Sequence, residues 1–190
     1  MGLRRELHPR KIDRKLVARL TALIEVLVEK AEQHQDISEP LQELHQFTGS
    51  RRFSASDFRT LYGASSPEEL AEEIALGEPD DAGEIGELTR EEIVELVRLA
   101  TEPGTKQTFY LNLLSDKFPT ADVSDLIFWP DRERTEEEIA DEVLYRQQLF
   151  DDGGAEAVRA HILSLAKAVM ADPNSPLWAQ TWAEGYLRSD

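Results

Sequence analysis

Apolar residues along this chain recur every three or four positions, and nowhere do they alternate with period two over a useful length. The pattern therefore predicts an all-α protein with no strand. The longest run falls between Ile12 and about Gln33, where Ile12, Leu16, Leu20, Leu23, Leu27 and Ala31 make one stripe that Val17, Ile24 and Val28 widen. A stripe this broad predicts a long helix with much of its surface buried. A second helix is expected from Ser38 to near Gly49. Shorter ones should start at Ser54, with Asp57 three residues on, and at Ser66, with Pro67 in the first helical position and Glu69 placed to complete a capping box.

From Gly77 to Glu87 the chain carries glycines, a proline and acids without apolar periodicity, which reads as a linker. Beyond it, Thr89 and Glu92 form a capping box ahead of a helix whose Ile93, Leu96, Val97 and Ala100 share one face. A further helix is expected from Thr105 to Lys117, ended by Pro119. Thr135 with Glu138 opens another, to about Leu149, where Asp151–Gly154 should break it. A helix from Ala155 to Met170 and a last one from Pro176 to Leu187 complete the chain. These signals divide it into a helical region over 1–76, an acidic linker over 77–87, a helical bundle over 88–150 and a C-terminal helical extension over 151–190. In that extension Trp178 and Trp182 lie four apart on one face and should pack back on an earlier part. Its near-neutral charge favours the N-terminal region as the seat.

Charge changes the picture once it is divided along the chain. Residues 1–60 hold 11 Lys/Arg against 9 Asp/Glu, residues 61–152 hold 7 against 25, and residues 153–190 hold 3 against 4. The middle segment alone thus carries −18, against a net charge of −17 for the whole chain. Such a surface repels nucleic-acid phosphates, whose binding needs cations, and attracts a basic protein.

Enzyme motifs are not found. Without cysteine there is neither a disulfide nor a thiolate metal site. His8, His34, His45 and His161 are scattered without ligand spacing, and no Gly-rich phosphate loop or nucleophile elbow occurs. Acid pairs such as Glu91 and Glu92 fall in first helical turns, where the helix dipole already accounts for them. The expectation is a protein that catalyses nothing and holds no metal or cofactor. The N-terminus shows no secretion signal and no apolar run reaches membrane-spanning length, so a soluble cytoplasmic protein is expected.

One stretch resists a purely structural account. In "SDLIFWPDRER", Phe128 and Trp129 are adjacent, and adjacent residues cannot both point into one core. Either a short helix is wrapped all round by neighbours, or Leu126 and Ile127 turn inward. In the second case at least one aromatic stays at the surface as an anchor ringed by Asp122, Asp125, Asp131 and Glu133.

The order of features, a capped helix "LTREEIVELV", a second helix, "SDLIFWP", an acid-rich loop and a capped helix "TEEEIADEVLYR", resembles the colicin and pyocin nuclease immunity proteins over about Leu88 to Phe150. The resemblance implies a small acidic four-helix bundle that inhibits a basic nuclease toxin domain by covering a surface beside its catalytic centre. On the matching positions, Asp125, Phe128 and Trp129 would form the binding hot spot. Pro130 would end its helix, and the preceding helix would choose among toxins through Tyr110, Asn112 and Asp116. Phe128 and Trp129 stand where that family has two tyrosines, so no phenolic hydroxyl is offered there. A different class of function fits the same features: a helical adaptor or scaffold protein that docks a basic cellular partner, sharing only the fold.

Overall fold

The Ser/Thr-x-x-Glu signals are read by the chain as local instructions. Ser66 with Glu69, Thr89 with Glu92 and Thr135 with Glu138 each close a complete capping box, the hydroxyl accepting from the N3 amide and the glutamate from the N-cap amide. The computed structural model describes residues 2–48, 53–54, 56, 58, 66–77 and 85–188. Among them there are helices and no strands: α1 (Arg14–Glu32), α2 (Ser38–Thr48), α3 (Pro67–Leu76), α4 (Arg90–Thr101), α5 (Gln107–Lys117), α6 (Val123–Phe128), α7 (Glu136–Ala171) and α8 (Leu177–Arg188), with a 3-10 turn over Arg5–Leu7. The expected helix from Ser54, the stop at Gly49 and most of the acidic linker fall wholly or partly outside the described residues.

Contacts divide the chain into two units. In the first, formed by the described residues from Pro9 to Gly77, α1 packs against α2 and α3. Its core holds Leu20, Ile24, Leu27, Leu44, Phe58 and Ala71. The buried stripe of α1 is centred on Val17, Leu20, Ile24, Leu27, Val28 and Ala31, while Leu16 and Leu23 pack only at its edge.

The second unit takes the described residues up to His8 and from Ile85 onward. Leu7 is fully buried in its core, and Arg4 Nε donates to Glu92 Oε1 at 2.6 Å, so the first residues belong here rather than with the N-terminal helices. Ile85 is also a core residue, its carbonyl accepting from Lys117 Nζ, so the linker ends before it. Around Ile93, Leu96, Val97, Phe109, Leu113, Leu114, Leu126, Ile139 and Val143, helices α4, α5, α6 and the start of α7 enclose one core.

Helix α7 is two helices. Gly154 has φ 70° and ψ −167°, a conformation open in practice only to glycine. Glu142 and His161 would stand about 28 Å apart along one straight helix, at 1.5 Å per residue. Their side chains instead meet at 2.8 Å, and the Tyr145 and His161 rings at 5.0 Å, so the chain doubles back at Gly153–Gly154 into two antiparallel arms. The break expected at Asp151–Gly154 is thus a full reversal. It returns Val158, Ile162 and Ala166 of the second arm to the interior, and α8 packs against α7. The C-terminal helices therefore belong to the second unit, where the sequence suggested the N-terminal region as their seat, and they pack there against each other.

Gly154→Ala should lower the stability of this unit by about 1 to 3 kcal/mol, because the added Cβ forces a strained backbone. Gly153→Ala should also be costly, since its Cβ would come within 2.8 Å of Ala157 Cβ. Urea unfolding of the full chain measures both; unchanged midpoints would show that the reversal does not depend on these glycines.

Candidate functional site

Helix α6 is short for identifiable reasons. Asp122, its N-cap, is held in the left-handed region at φ 48°, and Pro130 prevents continuation past Trp129, whose amide donates to the Asp125 carbonyl at 2.9 Å. With so few turns, one inward face is all that α6 has. Val123 and Leu126 fill it and Ile127 packs at its edge. Phe128 and Trp129 are left outside, 42% and 68% exposed. Both aromatics of the pair therefore face solvent.

The turn that carries them is held at both ends by buried arginines. Before α6, Arg146 Nη1 donates to the Ala121 carbonyl at 2.9 Å. After Pro130, Arg134 donates from Nε and Nη2 to Asp131 Oδ1 at 2.9 and 2.7 Å. Glu142 links the two clamps: its carboxylate lies 2.8 Å from Arg146 Nε, 3.7 Å from Arg134 Nη1 and 2.8 Å from His161 Nε2. Burial pushes the Glu142 carboxyl up, but hydrogen bonds and charge from Arg146 and His161 outweigh it, and the net direction is down. A network of paired, hydrogen-bonded charges in a low-dielectric interior fixes geometry more than it adds stability. Here it fixes the mounting of Phe128 and Trp129.

The exposed pair forms one wall of a groove of about 780 Å³. The opposite wall is α8. Ala179 and Ala183 are fully buried, and Trp178, Trp182 and Tyr186, spaced four apart, line the groove. The Trp182 and Tyr186 rings stand 5.1 Å apart, and the Tyr186 hydroxyl donates to Asp125 Oδ2 at 2.9 Å, tying α8 to α6. Burial first, and then that hydrogen bond and charge, hold the Tyr186 phenol well above its ordinary value, so it stays a donor. Glu133 completes the lining; it is exposed and forms no ion pair among the described residues. The chain matches no known family, no curated protein and no solved structure.

The other residues singled out in the sequence are placed unevenly. Pro130 lines the groove half-buried, Asp125 is half-buried as the acceptor of the Tyr186 hydroxyl and does not line it, and Asp122 is exposed at the start of α6. Partial desolvation raises the Asp122 carboxyl, with Arg146 opposing and Asp125 reinforcing the shift. Asp131 departs from expectation: it is buried at 6% exposure and neutralised by Arg134, so it is a structural anchor and not a rim charge. Tyr110 also departs from it. At 3% exposure it is core, edge-on to Phe109 at 5.4 Å, and offers no surface for choosing a partner. Asn112 is half-buried and Asp116 exposed on α5, and neither lines the groove.

Two sets of residues were not expected at the site: the clamps Arg134 and Arg146, and the α8 wall, whose Trp178 and Trp182 were expected to pack back on an earlier part and instead line the groove. The wall had a visible signal in its aromatic stripe at 178, 182 and 186. The clamps had a weaker one in the spacing of Asp131 to Arg134 and Glu142 to Arg146. Among the described residues, no His, Asp and Glu side chains converge in threes as metal ligands would, and no helix is long and apolar enough to cross a membrane.

Proposed function

We propose that this chain is a non-catalytic binding protein that docks a basic protein partner on the aromatic groove. Following the resemblance of its "SDLIFWP" segment, we take that partner to be the nuclease domain of a bacteriocin-type toxin. The observation that supports the reading is the mounting of Phe128 and Trp129, solvent-facing on a turn whose two ends are clamped from the interior. Large aromatics held rigid in water lose little conformational entropy when a partner covers them, which suits an interface centre. The acids of the middle segment supply the second half of the chemistry. They draw a basic domain in, and once it is bound they keep nucleic acid away from the covered surface by repulsion.

Inhibition assays with purified basic nuclease domains of the bacteriocin type test this, with association followed by stopped flow. One such domain should be inhibited stoichiometrically. Its association rate should fall by about tenfold or more between 0.05 and 0.5 M salt, since the Debye length shrinks from more than 10 Å to about 4 Å. Glu133→Gln with Asp122→Asn should slow association several-fold and leave dissociation nearly unchanged. If no nuclease binds while a basic non-nuclease protein does, the partner is a cellular one and the chain is an adaptor.

A further inference from the structure

The composition of the groove specifies what enters it. Five of its lining residues are aromatic, from two separate elements, and the one carboxylate in its lining, that of Glu133, forms no ion pair among the described residues. All three tryptophans of the chain, Trp129, Trp178 and Trp182, are among them. A purely apolar ligand would be served as well by leucine and isoleucine. Aromatic faces differ from aliphatic ones in carrying negative electrostatic potential, and they attract a cation that sheds part of its hydration to lie on them.

We propose that the groove receives an arginine side chain of the partner, its guanidinium stacked between the turn of Phe128 and Trp129 and the α8 wall of Trp178 and Trp182, with Glu133 accepting its N–H donors. The assignment rests on the reading of this surface as a docking site for a basic protein, and it makes α8 a functional half of that site. Guanidinium is planar, delocalised and weakly hydrated, so it stacks on indole at lower desolvation cost than an ammonium and still presents a fork to a carboxylate. The walls need little adjustment, because α8 is seated through Ala179 and Ala183 and tied at Tyr186 to Asp125. With about 780 Å³ available, the groove has room for the side chain together with part of the segment that carries it.

Two peptides of equal charge, hexa-arginine and hexa-lysine, separate this from attraction to an acidic surface. Titration is followed on the three indole N–H resonances by NMR, each of which reports on the groove. The arginine peptide should bind about threefold or more tighter than the lysine peptide and should shift all three indole signals. Trp178→Ala should bring the two peptides to equal affinity while leaving their shared, salt-sensitive binding in place. Glu133→Gln, which keeps every ring, should weaken the arginine peptide more than the lysine peptide.

Equal binding of both peptides by the wild type, with unmoved indole signals, overturns the assignment. If that result accompanies a basic nuclease whose docking still weakens in Trp129→Ala, the docking reading stands and only the arginine assignment falls. If the indole signals follow the arginine peptide but no basic protein docks, the docking reading falls and the guanidinium site stands.

Discussion

Arg146→Ala should destabilise the second unit by about 3 to 5 kcal/mol, the usual cost of removing one partner from a buried ion pair. The loss has two parts. Glu142, almost wholly buried, would be left with the His161 ring at 2.8 Å and Arg134 at 3.7 Å as its remaining partners, and the Ala121 carbonyl would lose its buried donor. Arg90→Ala is the matched control. Arg90 meets Asp141 with equally good geometry, at 2.6 and 2.9 Å through a two-pronged contact, but both side chains are about half exposed. An exposed pair is worth roughly 0 to 1 kcal/mol, so this second variant should be nearly neutral. If urea unfolding gave the two substitutions similar costs, burial would not be what gives the Arg146 contacts their weight.

The same network sets an acid response. The Glu142 carboxyl is depressed in the folded chain, so its contribution is complete above the ordinary value of 4.5 and is lost as pH falls through the lower folded value. Stability should therefore decline on acidification below about pH 4.5, and the decline should be shallower in Glu142→Gln. Since the network holds Ala121 and Asp131 at the two ends of the aromatic turn, partner binding should weaken over the same acid range.

How much of this was legible in advance follows from how local each feature is. The capping boxes at Ser66, Thr89 and Thr135 are instructions within four residues, and they are executed as written. The break at Gly153–Gly154 was visible for the same reason, but its reversal was not, because the angle between the arms is set by side chains nineteen residues apart. That the aromatic pair could not be shared by one core followed from adjacency alone. That both members face out followed from the brevity of α6, which the left-handed Asp122 and Pro130 impose together. The placement of Asp131 went the other way: an aspartate in an acid-rich loop reads as solvated, and only the folded chain brings the Arg134 guanidinium to bury it. Tyr110 shows the same limit, since a helix of eleven residues with apolar side chains on several faces gives no single inward direction. Trp178 and Trp182 were readable as one face, but neither the addition of Tyr186 to it nor the element opposite was.

Trp129→Ala should weaken partner binding by about 2 to 4 kcal/mol, the range for truncating a central aromatic hot spot, or roughly 30- to 700-fold in Kd. In the free protein the indole is 68% exposed and fills no part of the core, so its removal opens no cavity. Folding stability should then change by no more than about 0.5 kcal/mol. This separation of effects is the signature of a side chain held at the surface for a partner. Phe128→Ala should behave similarly with a smaller loss, because the phenyl is the less exposed of the two and removes less area from the contact. Both losses should appear as faster dissociation, since aromatic packing forms only after encounter, whereas charge acts before it. The two aromatic substitutions should also be less than additive with Trp178→Ala, because the rings across the groove would share one ligand. A Trp129→Ala protein that loses several kcal/mol of folding stability yet binds its partner with unchanged Kd would place the indole in the fold and remove it from the interface.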